Sequence, residues 1–196
     1  MKLSVNLSMR QTKRSDMTQL VVDVLQRTGL PAQALTLEIT ESLLISDDQD
    51  VISDLLTIRD LGVSLAVDDF GTGYSSLGYL KRLPVDTLKI DQSFVRELRE
   101  HSRDGAIVTA IIAMAKELDL NVIAEGVERQ DQLDFLVAHG CNEIQGYLVQ
   151  RALPADAFTA WWRRGDRPSA VAECVSFGGI RRRLRIRTNT PLVCKA

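Results

Sequence analysis

The sequence predicts an α/β fold with parallel strands, and three observations support this prediction. Six short runs of aliphatic and β-branched residues have the continuous apolar character of strands that are buried on both faces. Segments of helical length separate the runs, so strands and helices alternate along the chain. Acidic or amide residues close every run, and the carboxyl ends of parallel strands meet at one face. The sequence therefore predicts a polar site at that face.

Each element can be assigned in order. The predicted strands lie at residues 2–7, 35–40, 63–68, 86–90, 121–125 and 143–147. The predicted helices lie near residues 16–28, 48–61, 76–82, 104–118, 129–138 and 155–162. Gly29, Gly62 and Gly140 are expected to end three of these helices, because glycine adopts the left-handed conformation found at helix ends. In the fourth helix, residues at helical spacing are predicted to face the sheet: Ile107, Ile111, Met114 and Leu118.

The number of βα units bears on the architecture. A closed barrel of this class has eight units in about 250 residues, so six units indicate either an open doubly wound sheet or an incomplete barrel. The chain begins inside its first strand, at Lys2 and Leu3, which leaves one edge of that strand uncovered. An uncovered parallel edge promotes association. We therefore favour an incomplete (β/α) barrel that lacks its N-terminal part, and we expect the protein to self-associate.

Charge divides the chain into residues 1–164 and residues 165–196. The second segment contains seven Lys/Arg and two Asp/Glu, so its net charge is +5 and the first segment carries −7 of the total of −2. An acidic body excludes general nucleic-acid binding, which needs a cationic surface. We predict a folded domain over residues 1–164 and a basic, poorly ordered tail over residues 165–196. In that tail, Leu184 and Ile186 alternate with arginines, which is also typical of an edge strand.

Membrane and disulfide-rich classes are excluded by other features. No apolar run approaches the ~18 residues of a membrane span, and the first residues do not form a signal peptide. Cys141, Cys174 and Cys194 lack the C-x-x-C spacing of a zinc site. We therefore expect reduced thiols and a cytoplasmic protein.

The residues at the strand ends combine carboxylates, a lysine and amides: Asn6, Glu38, Asp68, Asp69, Lys89, Asp91, Glu125 and Gln145. Crowded carboxylates raise one another's pKa unless cations neutralise them. Oxygen donors without histidine or thiolate favour Mg²⁺ or Mn²⁺, and two such ions ~3.5–4 Å apart stabilise both oxygens of an in-line displacement. A dinucleotide site at residues 71–76 is the weaker alternative, because it leaves the other acidic strand ends unexplained.

With these motifs, the chain resembles the EAL family of cyclic di-GMP phosphodiesterases, whose fold is a modified (β/α)₈ barrel. The matching segments are residues 4–8, 37–42, 68–77, 88–91, 124–128 and 145–147, in the order of the family. The resemblance covers about residues 3–162. It implies hydrolysis of cyclic di-GMP to linear pGpG with two Mg²⁺ or Mn²⁺ ions.

The resemblance also implies roles for single residues. Asn6, Glu38 and Asp68 look like ligands of the first metal, and Asp68 and Asp69 like ligands of the second. Lys89 looks like the residue that positions the attacking water, and Glu125 like the general base. Asp91 would orient that water or contact a metal, and Gln145 would hold Glu125 or the substrate. Glu41 looks like the anchor of the 69–76 loop, and Glu128 like a contact near guanine.

The sequence also departs from the family. The Glu-Ala-Leu strand that names the family is absent, and with it a metal-ligating glutamate and an arginine near the phosphate. Residues 149–152 replace the usual aromatic residue and proline. We therefore expect the isolated chain to be weak or inactive unless a homo-oligomer or a complementing polypeptide supplies the missing wall. The alternative is a non-catalytic remnant that serves as an interaction or cyclic di-GMP-binding module.

Overall fold

The computed structural model describes residues 2–8, 17–41, 49–73, 77–164, 171–172 and 184–186. Strands and helices alternate through these residues, so the predicted α/β class is confirmed. The chain divides into two compact units, Met1–Leu88 and Lys89–Ala196.

The first unit contains three parallel strands in sequence order. They are β1 (Leu3–Leu7), β2 (Leu35–Thr40) and β3 (Ser64–Phe70). Its helices are α1 (Met17–Thr28), α2 (Gln49–Asp60) and the short α3 (Leu77–Leu80), with a 3₁₀ turn at Ala32–Ala34. These bounds agree with the predicted elements to within a few residues.

The core of the first unit lies between the strands and the first two helices. Its fully buried side chains include Ile39, Leu55, Ile58 and Leu65. Strand β2 is buried over Leu35–Ile39 and β3 over Leu65–Val67, which agrees with the predicted burial on both faces. For β1 that prediction is wrong, because its three central residues are exposed. Gly29 and Gly62 follow α1 and α2 with φ of 65° and 96°, which confirms their predicted role in ending helices.

Strand β1 lies at the end of the sheet order. In the part of the chain that the structure describes, β2 is its only strand partner, as predicted. Val5 is 44% exposed and Leu20 of α1 is 58% exposed, and both line an apolar groove of about 830 Å³ between β1 and α1. The expected self-association stays a prediction.

The second unit has the strand order β4–β5–β6–β8–β7. Its strands are β4 (Thr87–Ile90), β5 (Asn121–Ala124), β6 (Glu143–Ile144), β7 (Val171–Ala172) and β8 (Leu184–Ile186), of which β4 begins with the last two residues of the first unit. Its helices are α4 (Gln92–Arg96), α5 (Arg103–Glu117), α6 (Gln130–His139) and α7 (Ala155–Arg164). Gly140 ends α6 with φ of 89°, as predicted. Helix α4 was not predicted from the sequence.

Two short strands lie within the predicted tail. Strand β8 pairs in parallel with β6, and β7 pairs with β8 in antiparallel orientation. The alternation around Leu184 and Ile186 therefore does form a strand. The other residues of 165–196 lie outside the described part, so their poor order stays a prediction.

The predicted buried stripe of α5 is partly wrong. Ile111 is buried, but Ile107 and Leu118 are 40% and 37% exposed and Met114 is only partly buried. The buried face consists of Gly105, Val108, Ile111, Ile112 and Ala115. Small residues pack closely on this face, since a Cβ at Gly105 would lie 2.7 Å from the carbonyl oxygen of Arg99. The spacing of large apolar residues did not indicate this face, because Gly105 and Ala115 at its two ends are small.

Among the described residues, no helix is long and apolar enough to cross a membrane.

Candidate active site

The strand register of the first unit places three predicted ligands on one face. Asn6 lies opposite Glu38 in the β1–β2 pairing. Asp68 lies opposite Thr40, two residues beyond Glu38 along β2. Side chains of a strand alternate between faces with a period of two, so Asn6, Glu38 and Asp68 share one face near the carboxyl ends. Glu38 is 7% exposed, Asp68 is partly buried and Asn6 is exposed.

Asp69 follows directly on Asp68 near the end of β3. Its φ of 54° is in the left-handed region, which aspartate tolerates better than most residues. A carboxylate oxygen of Asp69 lies within 4.8 Å of one of Asp68, although adjacent residues of a regular strand point to opposite faces. The change in backbone conformation thus keeps the two carboxylates close enough to hold a cation together.

The donor chemistry of this acidic face fits hard divalent cations. Residues 1–88 contain no histidine and no cysteine, so carboxylate and amide oxygens are the only strong ligands that the first unit can offer there. Such oxygen donors suit Mg²⁺, Mn²⁺ or Ca²⁺.

Glu41 holds the loop after β3. It is 4% exposed, and its Oε2 accepts hydrogen bonds from the backbone N–H groups of Gly71 at 3.1 Å and Gly73 at 3.2 Å. A carboxylate that accepts two backbone N–H bonds is a strong anchor. Glu41 is thus bonded to the backbone of the loop that follows Asp69.

Lys89, Glu125 and Gln145 form a connected group in the second unit. Lys89 Nζ lies 2.7 Å from Glu125 Oε1, and the two side chains are 3% and 17% exposed. The amide of Gln145 donates to the same oxygen at 3.2 Å. Lys89 and Gln145 thus both contact the same carboxylate oxygen of Glu125.

The backbone of the second unit positions this group. The N–H of Glu125 donates to the carbonyl of Ile90, and the N–H of Gln145 donates to the carbonyl of Ala124. These bonds extend the β4–β5–β6 pairing by one residue beyond the strands, so the residue after each strand stays in a defined place. The backbone positions of Glu125 and Gln145 are thus fixed by the sheet, although both residues lie beyond the strand ends.

Asp91 has a further contact at the end of β4. Its Oδ1 accepts from the N–H of Ser93 at 2.9 Å and caps helix α4. This cap holds one carboxylate oxygen of Asp91 toward the helix. Glu128, the remaining predicted residue, is exposed, and its N–H donates to the side chain of Gln132.

The sequence reasoning missed Gln132. This residue is 1% exposed on α6 and its amide makes four hydrogen bonds to backbone groups. The sequence does contain an indication of its role as a helix cap, because glutamine three residues after a helix N-cap is typical of a capping box.

Comparison with known proteins identifies the family. The EAL domain family model matches residues 1–152. Cyclic di-GMP phosphodiesterase NbdA of Pseudomonas aeruginosa is 45% identical over 163 residues, which is 83% of this chain and 21% of the relative. This chain thus spans about a fifth of the length of such curated relatives.

Solved structures agree in fold. The Pseudomonas aeruginosa MucR phosphodiesterase in complex with c-di-GMP is 44% identical, with a TM-score of 0.76 over 80% of this chain and 70% of that one. Klebsiella pneumoniae BlrP1 in a manganese and c-di-GMP complex is 32% identical, with a TM-score of 0.70 over 76% and 38%. These similarities confirm the predicted fold of the EAL, TIM-barrel-like type. The chain belongs to the EAL domain family.

Proposed function

We propose that this chain carries a phosphodiesterase site for cyclic di-GMP, which it cleaves to linear pGpG. The observation that carries the proposal is the Lys89–Glu125–Gln145 group, in which a nearly buried lysine and an amide hold one glutamate. In the first unit, the oxygen donors of Asn6, Glu38, Asp68 and Asp69 suit the divalent cations that such a reaction uses. The family match and the c-di-GMP complexes of related proteins support the choice of substrate.

Two divalent ions, Mg²⁺ or Mn²⁺, belong to this proposal. Asn6, Glu38 and Asp68 would hold one ion, and Asp68 and Asp69 the other, with Asp91 near a metal or the attacking water. When bound, the ions supply Lewis-acid stabilisation of the charge that develops on the phosphoryl oxygens. The manganese complex of BlrP1 supports metal use, and the acidic donor set supports hard cations.

The protein residues would perform the proton transfers. Glu125 accepts a proton from the water that attacks phosphorus, a new P–O bond forms, and one ester P–O bond of the cyclic dinucleotide breaks. The leaving ribose oxygen takes up a proton from solvent, and Glu125 afterwards releases its proton to solvent. Lys89 neutralises Glu125 before the transfer and orients the water, while Gln145 fixes the carboxylate plane through its hydrogen bond. Glu41 holds the 71–73 loop, and Glu128 contributes near the guanine base.

Location and partners follow from the same proposal. A cytoplasmic site agrees with the free, buried thiol of Cys141. Asn6 is exposed on the terminal strand of the first unit's sheet order. We therefore propose that a second copy or another polypeptide completes this side, and that the chain alone turns over slowly. The same observation favours the second candidate function, a cyclic di-GMP-binding module without turnover.

Chromatography of reaction mixtures tests this function. The purified chain is incubated with cyclic di-GMP and Mn²⁺, and pGpG is quantified for wild type, Glu125→Gln and the control Glu117→Gln on the exposed end of α5. We expect slow, EDTA-sensitive pGpG formation that Glu125→Gln abolishes and Glu117→Gln retains. Binding of cyclic di-GMP without any pGpG would establish the binding-module function instead. Absence of both binding and turnover would overturn the proposal.

A further inference from the structure

The loop that carries Glu125 is attached to a neighbouring helix by one buried side chain. Residues 125–129 connect β5 to α6, and Gln132 lies in the first turn of α6. The Oε1 atom of Gln132 accepts from the N–H groups of Glu128 and Arg129, both at 2.9 Å. This half of the amide therefore fixes the loop to the start of α6.

The other half of the same amide reaches helix α4. Gln132 Nε2 donates to the carbonyl of Val95 at 2.8 Å and to that of Arg96 at 3.3 Å. These carbonyls lie in the last turn of α4, where helical carbonyls lack partners within the helix. Both the oxygen and the nitrogen of the Gln132 amide thus have hydrogen-bond partners, as expected for a side chain that is 1% exposed.

Helix α4 follows directly on strand β4, with only Asp91 between them. Asp91 caps α4 directly after β4, which carries Lys89. A closed circuit of contacts results: β4 leads to α4, Gln132 joins α4 to the loop, and Glu125 returns to Lys89 through the 2.7 Å ion pair. Gln132 closes this circuit on the side away from the ion pair, together with the more exposed Arg129, whose guanidinium donates to the carbonyls of Arg96 at 3.1 Å and Leu98 at 3.3 Å.

The loop between these anchors has little freedom elsewhere. The N–H of Val127 donates to the carbonyl of Gln145, and the N–H of Leu148 donates to that of Val127. A Cβ at Gly146 would overlap the backbone of Val127, so the two segments touch backbone to backbone. These contacts join the 125–129 loop to the segment that carries Gln145.

We propose that Gln132 is a positioning residue for Glu125, which it places by anchoring the 125–129 loop to helix α4. The catalytic meaning of this role rests on the function proposed above. The four hydrogen bonds of the Gln132 amide all go to backbone groups, those of Val95, Arg96, Glu128 and Arg129, so it acts through the backbone.

The chain offers substitutions that separate anchoring from helix capping. Gln132→Glu retains two acceptor oxygens for Glu128 and Arg129, and glutamate is a favoured residue at this position of a capping box. It removes the donors to Val95 and Arg96. Gln132→Leu removes every bond at similar volume. Gln130→Leu is the matched control, since Gln130 lies on the same helix and its side chain donates to the exposed Asp134 at the surface.

Amide hydrogen exchange and NMR of the whole chain, without metal or nucleotide, provide the test. In Gln132→Glu we expect the amides of Glu128 and Arg129 to stay protected, while those of Glu125 and Val127 exchange about 10- to 100-fold faster. The side-chain amide resonance of Gln145 should shift, because its Glu125 acceptor moves. Gln130→Leu should leave all of these signals as in wild type.

The contradicting result is equally defined. If Gln132→Glu leaves the exchange of Glu125 and Val127 and the Gln145 resonance at their wild-type values, Gln132 is a helix cap and the proposal is wrong. Should Gln132→Leu fail to fold, the glutamate variant still decides. Because no readout needs cyclic di-GMP, failure of the proposed phosphodiesterase function would leave this test intact, and failure here would leave pGpG formation unaffected.

Discussion

Lys89 and Glu125 form an ion pair with only 2.7 Å between Nζ and Oε1, and almost none of the lysine is exposed to solvent. The strand β4 delivers the lysine and the end of β5 delivers the glutamate, so the pair joins neighbouring strands of the second unit. Buried ion pairs carry a large desolvation cost, which makes them weak devices for stability alone. Their presence at the carboxyl ends of strands indicates a functional site.

The first prediction concerns the removal of one partner of this pair. Lys89→Met leaves the Glu125 carboxylate without its cation, and Glu125→Gln leaves a buried ammonium without its anion. Each single variant should lose about 3–5 kcal/mol of unfolding free energy, measured by urea titration. The double variant should lose less than the sum, because neither charge is then unpaired. Additive losses would show that the two side chains do not interact in solution.

The second prediction concerns the anchor of the loop after β3. Glu41→Ala removes the acceptor for the N–H groups of Gly71 and Gly73, so we expect a loss of about 1–3 kcal/mol and faster amide exchange at both glycines. The exposed Asp60→Ala is the matched control, since its contact with Arg59 is at the surface. Unchanged exchange at Gly71 and Gly73 in Glu41→Ala would contradict this assignment.

The third prediction uses the buried thiol. Burial raises the pKa of Cys141 from about 9.0 to about 12, while hydrogen bonding to the backbone lowers it by less. The folded state therefore holds a proton that the unfolded chain releases above pH 9. The stability that Cys141 contributes should be fully present below pH 9 and should fall by about 1.4 kcal/mol per pH unit between 9 and 12.

Comparison with Cys141→Ala isolates this effect from other alkaline titrations. The difference in unfolding free energy between wild type and variant should be constant from pH 7 to 8.5 and should shrink at pH 10. In the folded protein, mass spectrometry should also find the Cys141 peptide unmodified by iodoacetamide at pH 8. Rapid labelling of this thiol in the native state would show that it is accessible.

The positions of the acidic residues were predictable because their signal is local. Each lies where an apolar run stops, and the parallel arrangement follows from the alternation with helices. Glu38 and Asp68 illustrate this, since both are placed by strand register alone. The family resemblance gave the same residues independently.

Other features were not predictable because they depend on contacts between distant segments. The buried amide of Gln132 bonds α4 carbonyls 36 and 37 residues away, and nothing in its local pattern indicates this partner. Similarly, Asp86 and Asn142 accept hydrogen bonds from the second residues of β3 and β5, Leu65 and Val122. Such bonds satisfy backbone N–H groups near the strand starts, but they produce no periodic pattern in the sequence.

The central claim, that the acidic face of the first unit binds divalent metal, is tested most directly by thermal unfolding with and without Mn²⁺. A ligand that binds only the folded state raises the melting temperature by mass action. We predict a modest rise for wild type and for the exposed control Asp60→Asn, and no rise for Asp68→Asn, which keeps the side-chain shape but removes its charge. If Asp68→Asn is stabilised by Mn²⁺ as much as wild type, or if wild type shows no rise at any Mn²⁺ concentration, the metal site assigned to Asn6, Glu38, Asp68 and Asp69 is wrong.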